Sequence, residues 1–171
     1  MVLRLLAAMV LVVSMASAAL ATKVVISISK PGQKMRVIVD GEEKYVWPVS
    51  TGARGYDTPS GKYRPFRMER DHFSKEWDDA PMPHSIFFTG EGHAIHGSPY
   101  TKSLGRRVSH GCVRLAPANA AKLFALVQKA GMRNTTVVVR GGFDFGFGGF
   151  AEFEPPKLKK LKKPRWMNAF E

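Results

Sequence analysis

Between His93 and Arg114 the sequence reads HAIHGSPYTKSLGRRVSHGCVR, with the chain's one cysteine, Cys112, near its end. A cysteine serves as a nucleophile when a neighbouring base or positive charge draws off its proton. Three histidines (His93, His96, His110) and three arginines (Arg106, Arg107, Arg114) stand within twenty residues of this thiol. In Ser109-His110-Gly111-Cys112 the glycine permits a tight backbone, so the amides of Gly111 and Cys112 could face an oxyanion. That pattern points to acyl transfer. His93 and His96 are three apart and face opposite sides of a strand, so only one can meet the thiol. His110 is two from Cys112 and could share its face. Spacing alone leaves His96 and His110 as competing bases.

A second chemistry uses the same residues. His93-x-x-His96 and His110-x-Cys112 offer four N/S ligands of the kind zinc accepts. The His-x-Cys half is tight for one ion, and the Cys-x-x-Cys and His-Glu-x-x-His spacings are missing. A third reading, free of catalysis, is a basic module that binds the cell envelope.

These residues must be carried by a folded domain. With 171 residues, 44% hydrophobic and 23% charged, the chain suits one ordinary domain with terminal excess. Alternating runs predict strands at 24–29 (VVISIS), 35–40 and 43–49, the last placed at an edge or an end by Pro48. Residues 50–61 read as a long Gly/Ser/Thr/Pro loop, 62–70 as a strand, and 71–83 as a polar connection containing Trp77. Short buried strands are expected at 85–88 and 93–96, and a closing β-branched strand at 135–141. One helix follows Pro117 and stops at Gly131, with Ala121, Phe124, Ala125 and Val127/Gln128 at helical spacing.

The ends read differently. Residues 1–21 begin with Arg4, continue through an apolar run and end in small residues, the layout of a secretory signal cleaved after Ala18 or Ala21. The run is too short for a bilayer span. Cleavage removes only Arg4, so the net charge of +12 belongs almost wholly to the exported protein and predicts attraction to polyanions. Export weakens a nucleic-acid reading. Residues 142–171 form a Gly/Phe-rich linker and a tail with six basic residues between Lys157 and Arg165, expected to be disordered and able to contact an anionic surface. A single cysteine permits no intramolecular disulfide.

Ala94-Ile95-His96-Gly97, eleven intervening residues, then Ser109-His110-Gly111-Cys112-Val113-Arg114-Leu115 resembles the signature of the L,D-transpeptidase catalytic domain, the YkuD-like family. The segments VSTGARGYDTPSGKY (49–63) and PMPHSIFF (81–88) are similar to that family's approach to its site. The resemblance covers about Val24 to Gly141 within a domain at 22–141. It implies a mostly β, sandwich-like fold of mixed sheets with one main helix at about 117–130. It implies Cys112 as nucleophile and His96 as base, with the ring oriented by a backbone carbonyl at Gly97. Ser109, His110 and Gly111 then shape the site. Arg114 stands where some relatives carry asparagine, and its chemistry suits bidentate pairing with a substrate carboxylate. Lys102, Arg106 and Arg107 would gather substrate.

The reaction so implied needs no cofactor and no ATP. Cys112 attacks the carbonyl between the third residue of a peptidoglycan stem peptide and its terminal D-Ala. D-Ala leaves, and the thioester passes to an amine: another stem, an envelope protein or a free D-amino acid. The sequence leaves the acceptor and the oligomeric state open.

Overall fold

The computed structural model describes residues 21–77 and 79–141. The expected signal segment, apart from Ala21, and the expected linker and tail at 142–171 lie outside the described residues. The described chain is mostly β, with nine strands in two mixed sheets and one main helix.

The first sheet has the order β3-β2-β1-β9-β4. It comprises β1 (Val24–Ser29), β2 (Lys34–Val39), β3 (Glu42–Pro48), β4 (Gly61–Tyr63) and β9 (Thr135–Arg140). Alternation drives it: along VVISIS every second side chain is buried, so Val24, Ile26 and Ile28 face the core. β3 is the exposed edge, and Pro48 ends it. The closing strand β9 lies inside the sheet, parallel to β1 with Val24 opposite Thr135.

The second sheet has the order β5-β6-β7-β8: β5 (Arg67–Ser74), β6 (Ala80–Phe87), β7 (Ala94–Gly97) and β8 (Val113–Leu115). Here the sequence reading needs correction. The expected strand at 62–70 is two strands in different sheets, broken at Arg64-Pro65-Phe66, and the expected polar connection at 71–83 is most of a long hairpin. Pro81 and Pro83 suppressed the β reading, because proline cannot donate to a ladder. β6 tolerates them because β7 pairs only with Ile86 and Phe87, leaving the proline end open on that side.

Helix α1 (Pro117–Ala130) starts with proline in its first turn and ends at Gly131, whose φ is +86°. Its buried stripe is Ala120, Leu123, Phe124, Val127 and Ala130. The expected stripe was rotated: Ala125 and Gln128 are exposed, because the large side chain of Leu123 takes the inner face. This stripe, the inner face of the first sheet, and Ile86, Ile95, Val113 and Leu115 of the second form one core.

Candidate active site

β7 and β8 run parallel in register, with Ile95 opposite Val113, His96 opposite Arg114 and Gly97 opposite Leu115. Ile95, Val113 and Leu115 fill the core. Strand alternation therefore turns His96 and Arg114 to the other face, and Cys112, two residues before Arg114, lies on that face too. All three line one cavity of about 410 Å³. The residues that build the core and those that line the cavity are set by the same two-residue period.

His96 is buried at 5% exposure, and its Nδ1 lies 2.7 Å from the Gly97 carbonyl oxygen. Its pKa falls to about 4, chiefly through burial and further through the Arg114 charge and the neighbouring His72, against the raising effect of the Gly97 bond. The ring is neutral at pH 7. A neutral ring that donates Nδ1–H to a carbonyl carries its lone pair on Nε2. Gly97 is itself held by close packing: a Cβ there would meet Pro83 Cγ at 3.2 Å and Ala120 Cβ and Pro117 Cα at 3.3 Å. Helix α1 thus packs close to the Cα of Gly97 and leaves no room for a side chain at the residue whose carbonyl meets the imidazole.

Cys112 is half-buried, with Sγ 3.9 Å from the Gly92 carbonyl. Burial pushes the thiol's pKa up, as does the Glu76 charge; a backbone hydrogen bond from Ala94 and the Arg114 charge oppose this. With the thiol raised and the imidazole lowered, the resting pair is neutral. Such a pair suits a thiol that ionises as its proton passes to a neighbouring base.

The turn before Cys112 is pinned from beneath. Ser109 Oγ donates to the Cys112 carbonyl at 2.5 Å and accepts from the Gly111 amide at 3.3 Å. The Gly111 amide, expected to face an oxyanion, is therefore turned to Ser109. Gly111 has φ +111°, and a Cβ on it would lie 3.0 Å from the His93 ring. Thr58, fully buried, accepts from the Gly52 amide at 2.9 Å and donates to the Gly111 carbonyl at 2.7 Å. The loop at 50–61 is thus a cradle for the cysteine turn. Lys30 and Arg107 secure it by clasping Asp57 at 2.6 and 2.7 Å, and Arg107 Nε donates to the Gly52 carbonyl.

Of the other expected residues, His93, Ser109 and His110 also line the cavity, whereas Lys102, Arg106 and Arg107 do not. Arg107 is engaged with Asp57, and Lys102 and Arg106 are exposed. His110 is exposed, stacked on Trp77 at 3.7 Å and 5°, and edge-on to Tyr56. His93 Nδ1 sits 2.8 Å from Thr89 Oγ1. Among the described residues no three His, Cys, Asp or Glu side chains converge as metal ligands. The zinc reading thereby loses its geometry. Arg114 has no carboxylate within ion-pair distance among the described residues.

Sequence reasoning missed the opposite wall of the cavity, which comes from the β5–β6 hairpin through Arg67, His72, Glu76 and Trp77.

A mostly β domain presenting a thiol and an oriented neutral imidazole to one cavity has the parts of a cysteine acyl-transfer enzyme. The L,D-transpeptidase catalytic domain (YkuD) profile matches residues 23–139, and the chain belongs to that family. YqjB of Bacillus subtilis (strain 168), a protein named for the same activity, is 26% identical over 112 residues, covering 58% of this chain and 64% of its own. A solved L,D-transpeptidase from Mycobacterium smegmatis superposes with TM-score 0.64 at 25% identity, covering 70% of this chain and 59% of that one. L,D-transpeptidase 3 of Mycobacterium tuberculosis, solved with a faropenem-derived adduct, gives TM-score 0.61 at 25% identity, covering 70% and 60%. The chain thus spans about three fifths of the length of these relatives.

Proposed function

We propose that this protein is a cysteine-dependent L,D-transpeptidase acting on peptidoglycan stem peptides outside the cytoplasm. In this reading residues 1–21 direct export, 22–141 form the catalytic domain, and the basic segment within 142–171 contacts an anionic surface. The observation that carries the proposal is the fixed His96 tautomer, Nδ1 on the Gly97 carbonyl, in the cavity that Cys112 also lines.

His96 Nε2 takes the thiol proton as sulfur attacks the carbonyl carbon preceding the terminal D-Ala. The Cys112 amide faces the resulting oxyanion in place of the engaged Gly111 amide. His96 returns the proton to the D-Ala nitrogen, the C–N bond breaks, and a thioester remains. An amine then attacks the thioester, His96 moves its proton to the departing sulfur, and a new amide forms. Arg114, with no ion-pair partner among the described residues, pairs with a substrate carboxylate. The acceptor is a stem amine giving a 3-3 cross-link, an envelope protein amine, or a D-amino acid.

The test is intact mass after incubation with imipenem or faropenem. The reading expects one covalent adduct, lost in Cys112→Ala and slowed far more by His96→Ala than by His110→Ala. An adduct that survives Cys112→Ala overturns the nucleophile, and loss only in His110→Ala overturns the base. No adduct on the wild type favours a non-catalytic envelope-binding module.

A further inference from the structure

His72 has no part in the steps above, yet its ring lines the cavity shared by His96 and Cys112. It is held on β5 by two contacts. Nδ1 lies 2.5 Å from Glu69 Oε2, and the ring meets the face of Phe87 edge-on at 5.0 Å and 86°. Glu69 is itself placed by Arg67, 3.4 Å from its other oxygen, and the Arg67 guanidinium rests on the Phe87 ring at 3.7 Å. A carboxylate on Nδ1 fixes the tautomer with Nδ1–H donating, so Nε2 is left as an acceptor, and the carboxylate stabilises the imidazolium that forms. His72 and His96 line the same cavity.

The proton count of the second half-reaction leaves work for such a group. The thioester is attacked by a neutral amine, R–NH₂, and His96 carries one amine proton to the departing sulfur. The acceptor, however, arrives at pH 7 as R–NH₃⁺, since an alkylamine of the lysine type titrates near 10.4. It brings one proton more than the His96 shuttle disposes of. His96, held to about 4, is a poor sink for it.

We propose that the His72–Glu69 pair is a second base in this cavity, taking the surplus proton from an ammonium acceptor before it attacks the thioester. The proposal rests on the transpeptidase reading. The step balances as R–NH₃⁺ plus neutral His72 giving R–NH₂ plus His72 imidazolium, which then releases the proton to water. Other titratable or charged groups share the space: Lys75 and Glu76 from the hairpin tip, Glu91 and His93 from the turn before β7, His110 from the turn before Cys112, and Arg114 from β8. β6 brings Phe87 to this face; its one titratable residue, His84, packs against Phe124 of α1.

The experiment compares wild type with His72→Gln and Glu69→Gln. The donor is a stem tetrapeptide, and the acceptor is either a diaminopimelate-bearing stem, an ammonium at pH 7, or hydroxylamine, already neutral there. Acylation is followed separately as imipenem adduct formation. A general base contributes roughly 100-fold or more. The proposal expects His72→Gln to lose about that factor toward the ammonium acceptor, with a smaller loss in Glu69→Gln. Transfer to hydroxylamine and acylation by imipenem should each change far less than transfer to the ammonium acceptor. Raising the pH should recover the variant's transfer as the acceptor itself deprotonates. Equal slowing with both acceptors, or no slowing with either, overturns the second base while leaving the transpeptidase intact. A wild type that acquires no acyl group overturns both.

Discussion

Burial of His96 makes a quantitative claim about stability. The folded ring titrates near 4 and an unfolded one near 6.5, so the fold favours the neutral form. Its contribution is complete above pH 6.5 and is lost as pH falls from there toward and through 4. A gap of this size amounts to about 3 kcal/mol at pH 4, since each pH unit is worth about 1.4 kcal/mol. For a domain near 120 residues that corresponds to a drop in Tm of about 10 °C. Carboxylates and the remaining histidines also titrate in this range, so the contribution of His96 must be isolated by difference. Thermal melts of wild type and His96→Gln from pH 7.5 to 4 provide it. The wild-type curve should descend toward the variant's, closing by about 3 kcal/mol relative to the separation at pH 7. Parallel curves would refute the reasoning, because they would mean that the imidazole is as free to protonate in the fold as in the unfolded chain.

Three further outcomes follow from the site. Gly111→Ala places a Cβ at φ +111° and 3.0 Å from the His93 ring, and should cost about 1–3 kcal/mol in denaturant melts while slowing acylation. Thr58→Val leaves the Gly52 amide and the Gly111 carbonyl without their partner and should cost about 2–3 kcal/mol, with Thr58→Ser restoring most of it. Arg114→Asn removes the charge that lowers both the Cys112 and His96 values, so the thiol's alkylation by iodoacetamide should shift to higher pH. An unchanged profile would mean that the guanidinium does not act on the sulfur.

Much of this fold was legible because its drivers are local. The two-residue period of VVISIS, the β-branched run TTVVVR and the Pro117 and Gly131 boundaries of α1 each follow from a few adjacent residues. The hairpin of β5 and β6 was not, because Pro81 and Pro83 argue against a strand unless it is known that β7 stops short of them. The split of 62–70 between two sheets is likewise a tertiary fact, fixed by pairing of Tyr63 with Val137 and of Arg67 with Phe87. At the site, residue types and order named Cys112 and the competing histidines. Their surroundings differ through non-local contacts: Trp77 holds the His110 ring in a stack, while α1 packs close to Gly97, whose carbonyl meets the His96 ring. The fate of the Arg107 charge was illegible for the same reason, since Asp57 lies fifty residues away in sequence.

The central claim is an acyl group on Cys112 with expulsion of D-alanine. Its most direct measurement is an acid quench of the protein within one turnover of a stem tetrapeptide, followed by peptide mapping and assay of free D-alanine. The account predicts a thioester-linked tripeptide on Cys112 and one equivalent of D-alanine per acylated chain. An adduct on any other residue, or D-alanine released by Cys112→Ala at the wild-type rate, would contradict it.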